Sequence, residues 1–103
     1  MNSQPDLFDD ATPTTLAFRE FDRNNPRVFS LLKTFSRAAR KTGRKRMGIR
    51  MIWERMRWEI MITTTDSERD YKLNNNYTSR YARKLMAECN DLDGMFEIRE
   101  LRS

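Results

Sequence analysis

A chain of 103 residues holds one domain of ordinary size and is too short for two. Its 38% hydrophobic and 34% charged residues predict a thin core under a heavily charged surface, and 11% aromatics argue against general disorder. A single cysteine, Cys89, excludes an internal disulfide, no stretch approaches the roughly 20 apolar residues that span a bilayer, and no histidine is present.

Residues 1–12 carry Asp6, Asp9 and Asp10 with little periodicity and read as a flexible acidic tail, although Leu7-Phe8 leaves docking of that tail open. This segment lacks the basic patch and apolar run of a secretory signal, so a reducing cytoplasm is the expected compartment. Residues 14–24 read as a short helix, with Thr14 or Thr15 as cap and Leu16, Phe18 and Phe21 inward. Asn25-Pro26 breaks the chain and opens a second helix to about Thr42, with Asn25 as cap and Pro26 at the first helical position. Val28, Leu31, Leu32, Phe35, Ala38 and Ala39 follow the helical period on it, and Gly43 is placed to end it in a left-handed cap.

A third helix runs from Met47 or Gly48 to about Trp58, lined by Ile49, Ile52, Trp53, Met56 and Ile60. The β-branched run Ile60 to Thr65 then predicts a strand, Asp66 to Asp70 a polar turn, and Tyr71-Lys72-Leu73 a returning strand. Asn76 or Thr78 caps a fourth helix to about Asn90 with Tyr81, Ala82, Leu85, Met86 and Cys89 inward. Asp93-Gly94 turns the chain, and the alternation from Met95 to Leu101 predicts a half-buried edge strand. The expected fold is therefore a single α+β domain over residues 13–103 in the order α-α-α-β-β-α-β. Its helix-turn-helix followed by a hairpin suggests a small winged-helix-like architecture.

The net charge of +5 is unevenly spread: residues 1–26 carry −3, residues 27–57 carry +10 and residues 58–103 carry −2. Such concentration points to an anionic partner for the middle segment, the plain alternative being a solvated arginine-rich helix face. Arg37, Arg40, Lys41, Arg44, Lys45 and Arg46 cluster where the second helix ends, and Arg50, Arg57 and Arg55 extend the charge along the third. Flexible cations on one exposed surface are what phosphate neutralisation needs. Should the third helix enter a major groove, Arg50 is the candidate for a guanine edge, while Lys72 and Arg69 on the wing would reach phosphates. Part of the cluster also suits a helix C-terminus, whose dipole favours cations.

A set of short motifs adds a second line. Arg57-Trp58-Glu59, Leu73-Asn74-Asn75-Asn76-Tyr77, Tyr81-Ala82-Arg83 and Gly94-Met95-Phe96 with Arg99 resemble a family of small phage and prophage proteins of unknown function. The likeness extends upstream to Phe21 and Asn25-Pro26; Gly48 departs from it, standing where a capping serine would be expected. The resemblance implies a bacteriophage accessory protein acting in the bacterial cytoplasm and brings no catalytic residues.

Catalysis has little support in the residues themselves. Cys89 falls on the apolar side of the fourth helix, Asp91, Asp93 and Glu97 match no calcium loop, and Gly43, Gly48 and Gly94 make no phosphate loop. Neither an enzyme, a metal nor a cofactor is expected. Trp53 belongs to the apolar stripe; Trp58 falls off it and reads as a cap on the core or a base-stacking ring, while Met51 and Met61 read as exposed. Tyr77 and Tyr81, one helical turn apart, are expected to stack and pack the helix on a sheet. The expected function is nucleic-acid binding by a regulator, with duplex DNA ahead of RNA and a homodimer open. The alternative is a protein-interaction module that inhibits or redirects a host enzyme or defence complex. No membrane partner is expected.

Overall fold

The computed structural model describes residues 12–64 and 75–97. Over these residues the chain forms four α-helices, α1 (Pro13–Asn24), α2 (Pro26–Lys41), α3 (Ile49–Thr63) and α4 (Thr78–Glu88), with short 3₁₀ turns at Asn75–Tyr77 and Asn90–Leu92. No strand occurs among the described residues, so the α+β, winged-helix-like reading is overturned in favour of a helical fold.

Each departure has a local cause. The run from Ile60 was expected to extend as a strand, yet the helix continues to Thr63. Ile60 lies one turn beyond Met56 on the stripe of Ile52, Trp53 and Met56, all of them buried, so helical continuation puts Ile60 into the same core. That burial outweighs a β preference of at most about 1 kcal/mol per residue. The Thr63 hydroxyl donates to the Glu59 carbonyl at 2.6 Å and accepts from Arg27, binding the last turn to itself and to α2. The strand expected from Met95 to Leu101 is not formed over its described residues 95–97 either: Met95 and Phe96 are both buried, which strict alternation forbids in a half-buried edge strand. Instead the Met95 N–H donates to the Leu92 carbonyl at 3.1 Å, and Gly94 turns the chain at φ +74°. Residues 71–73, with Lys72, lie outside the described residues, as do residues 98–101, Arg69 and residues 1–11 of the acidic tail.

Helix boundaries follow the local signals more closely. Thr12, rather than Thr14 or Thr15, caps α1, accepting from the Thr15 N–H at 3.3 Å, because Pro13 takes the first helical position. Asn25 does not cap α2 with its side chain; its Nδ2 reaches back to the Phe21 carbonyl at 2.9 Å and closes α1. On α2 the buried face is rotated toward Phe29 and Ser36, leaving Ala38 exposed, and on α1 Leu16 is exposed. Gly43 ends α2 at φ +95°, the left-handed stop that its position predicts.

One core cluster runs through all four helices. Tyr81 of α4 is its hub: its ring meets Phe18 of α1 edge-on at 4.8 Å, Trp53 of α3 at 5.8 Å and Phe29 of α2 at 6.3 Å. Tyr77 packs on Phe18 and Phe21, so α1 supplies both tyrosines with a phenylalanine partner, Phe18, where a sheet was expected. The Tyr81 hydroxyl donates to Asp22 at 3.1 Å, and Lys84 is held by the same carboxylate with its ammonium 4.1 Å from the Phe29 ring centre. Burial first, then the Asp22 charge, raises the Tyr81 phenol far above its ordinary value, so it stays a neutral donor. Ala82, Leu85, Met86 and Cys89 line the same face of α4, all buried.

Candidate nucleic-acid interface

The basic residues read from the sequence fall on the end of α2, the connection 42–48 and the first turn of α3. That connection is shaped by the chain itself. The Gly43 N–H closes onto the Arg40 carbonyl at 3.1 Å, Arg40 Nη1 donates to the Arg44 carbonyl at 3.2 Å, and the Met47 N–H donates to the Met95 carbonyl at 3.0 Å. The last bond ties the basic connection to the turn that follows α4. Arg44, Lys45 and Arg46 are thus displayed on an anchored loop, and all three are exposed. Arg44 Nη1 donates to the Thr42 hydroxyl at 3.3 Å; Lys41, Lys45, Arg46 and Arg50 make no ion pair with a described carboxylate.

The other candidates divide. Arg37 is bound to Asp91 at 3.0 Å, and this pair lines a shallow cleft of about 410 Å³ with Arg40 and Lys41. Arg57 is tied to Glu54 at 3.1 Å on its own helix. Arg55 is likewise held, by Glu59 at 2.8 Å, with its guanidinium 4.3 Å from the Phe35 ring centre. Arg57 and Arg55 therefore drop out of the free basic set, and Lys72 lies outside the described residues. The Arg57 and Arg55 pairs were readable, since acid and base stand one helical turn apart. The Arg37–Asp91 pair was not, because 54 residues separate its members.

Two further clefts open beside the connection. One, of about 360 Å³, is lined by Arg46, Met47, Gly48, Met95 and Glu97. The next, of about 260 Å³, shares Gly48 and Glu97 with it and adds Ile49 and Arg50 from the start of α3 and Thr78, Ser79, Ala82 and Arg83 from α4. The first turns of α3 and α4 therefore meet in one cleft, and neither carries an acidic residue or a side-chain cap. Burial, and then the neighbouring Arg80, pull the Arg83 guanidinium below its ordinary value. Arg83 lies outside the basic segment 27–57, and its place in the Tyr81-Ala82-Arg83 motif is the one signal the sequence carries for it. Arg80 is buried for a structural purpose, donating to the Thr15 hydroxyl at 3.2 and 3.3 Å and so joining α4 to the start of α1.

Trp58 was expected either to cap the core or to stack on a base. It is 55% exposed on α3, so the capping role is excluded. Cys89 is a buried free thiol among core residues.

The hydrogen bond from Arg37, helped by the charges of Arg37 and Arg40, holds the Asp91 carboxyl below its ordinary value despite some loss of hydration. A depressed folded-state value means that the pair's contribution is complete above the ordinary 3.8 and is lost as pH falls through the folded-state value. Following the Asp91 carboxyl carbon by NMR is expected to give a midpoint below 3.8, moving back up in Arg37→Gln. An unchanged midpoint in that variant would remove Arg37 as the cause.

No family model matches this chain, and neither a curated protein nor a solved structure matches it. Among the described residues, no helix is long and apolar enough to cross a membrane.

Proposed function

We propose that this chain is a nucleic-acid-binding protein that engages the phosphates of duplex DNA through the end of α2, the 42–48 connection and the start of α3. The observation that carries the reading is the set Lys41, Arg44, Lys45, Arg46 and Arg50, exposed and without a carboxylate partner among the described residues, spread over the end of α2, a connection anchored at Met47 and the first turn of α3. Cations at the start of a helix oppose its dipole, and α3 offers no acid in its first turn to offset them. A polyanion relieves that repulsion, and a protein that has kept it unrelieved has a surface suited to one. Phosphate contact needs neither a wing nor an inserted recognition helix. The reading therefore rests on charge and geometry alone and assigns no base-specific contact. By the resemblance noted above, the setting is a bacteriophage accessory protein in the bacterial cytoplasm, free of catalytic chemistry.

The test is the salt dependence of binding to a short duplex. Five cations on phosphates predict that the logarithm of affinity falls with the logarithm of salt with a slope of about −4 to −5. A slope near zero, or no binding at low salt, would remove the proposal. Tighter binding to single-stranded RNA of the same length would replace duplex DNA as the ligand.

A further inference from the structure

The outer face of α3 has no role in the reading above. Met51, Trp58 and Ile62 are 68%, 55% and 54% exposed. At about 100° per residue they fall within about 40° of one another, directly opposite the buried stripe of Ile52, Trp53, Met56 and Ile60. A helix apolar on both faces is normally covered on both, and four large apolar residues exposed on one helix, Met61 included, are more than the scattered exposure common on surfaces.

We infer that this face pairs with the same face of a second copy, the two α3 helices running antiparallel about a two-fold axis. The row 51, 55, 58, 62 has spacings that read the same in both directions. An antiparallel two-fold therefore sets Met51 against Ile62 of the other copy and the stem of Arg55 against Trp58. The edges of the row are also complementary. One edge carries Glu54 and Arg57, the other Arg55 and Glu59, and each pair is ion-paired within its own helix. The antiparallel two-fold, which passes between residues 56 and 57, brings each edge onto its own copy reversed, so Arg55 stands one residue's rise from Glu59 of the other copy, and the two Arg57 side chains meet between the two Glu54 carboxylates. Parallel pairing would instead press the two basic starts of α3, with Arg46 and Arg50, against each other. Antiparallel pairing sends them to opposite ends of a helix about 22 Å long and opposes the helix dipoles favourably. The inference is independent of nucleic-acid binding, since it uses the face of α3 turned away from its core stripe and none of the free cations.

Sedimentation equilibrium of the full chain is expected to show a monomer–dimer equilibrium, with the dissociation constant raised at least about 30-fold by Trp58→Glu. Far-ultraviolet circular dichroism is expected to be unchanged in that variant, since Trp58 lies outside the core; Ile62→Glu, at a second exposed site, repeats the test should Trp58→Glu misfold. Register is read by disulfide cross-linking: Met51→Cys mixed with Ile62→Cys is expected to cross-link efficiently, and each alone poorly. The native Cys89 is buried and does not compete. A monomer at every concentration overturns the inference, as does a dimer insensitive to both glutamate variants. Efficient cross-linking of Met51→Cys to itself overturns the antiparallel arrangement. A monomer that loses duplex binding on Trp58→Glu would assign the face to nucleic acid instead.

Discussion

Replacing Arg44, Lys45 and Arg46 together by glutamate is expected to lower duplex affinity at least about 100-fold at moderate salt, with helix content and thermal midpoint unchanged. All three side chains are exposed, and the bonds that anchor the connection, Met47 N–H to Met95 and Gly43 N–H to Arg40, are made by backbone groups that the substitutions leave in place. Arg40 also bonds the backbone carbonyl of Arg44, which survives the change. Removing the three charges without reversing them, by alanine, is expected to reduce the steepness of the salt dependence by about three while leaving residual binding through Lys41 and Arg50. Gel shift against duplex DNA at several salt concentrations, beside circular dichroism melts, measures both quantities. Loss of the fold in the glutamate variant would give the cluster a structural role, and retained affinity in a folded variant would exclude it from the interface.

The largest effect on stability is expected at Tyr81. Tyr81→Ala removes a fully buried ring in contact with Phe18, Phe29 and Trp53, and with it the joint through which α4 meets the other three helices. Truncation of a large buried aromatic costs about 3–5 kcal/mol, against a total of about 5–15 kcal/mol for a domain of ordinary stability. Urea unfolding should therefore place Tyr81→Ala near or below the limit of folding at room temperature. Tyr81→Phe keeps the ring and removes only the hydroxyl bond to Asp22, which stays paired with Lys84, so its cost is expected at about 1 kcal/mol. Equal losses in the two variants would mean that the Asp22 bond, and not the ring, holds α4 in place.

How far the sequence speaks for itself differs from one element to the next. The inner stripe of α3 and the inward set of α4 were legible because helical spacing repeats every turn and needs no knowledge of the partner. The rotation of α2 toward Phe29 and Ser36 was not, since several wheel positions of α2 are apolar or small and only the rings opposite choose among them. At the basic surface, the cluster itself was legible from charge along the chain. Its division into bound and unbound cations was not: Arg37 is claimed by an aspartate from the turn after α4, and Arg83 enters through a helix far away in sequence.

The ends of the helices and the segregation of charge were settled within the chain's own neighbourhoods. Pro13, Pro26, Gly43 and Gly94 act through backbone geometry over a few residues, and a run of cations stays a run in any fold. Helix against strand after Trp58 was a different matter, because the local preference of Ile60 to Thr63 is weak and a place in the shared core outweighs it. The same holds for the burial of Arg80 against Thr15 and for the choice of Tyr81 as hub. Each depends on groups distant in sequence and adjacent in space, and propensity over a few residues carries no information about such neighbours.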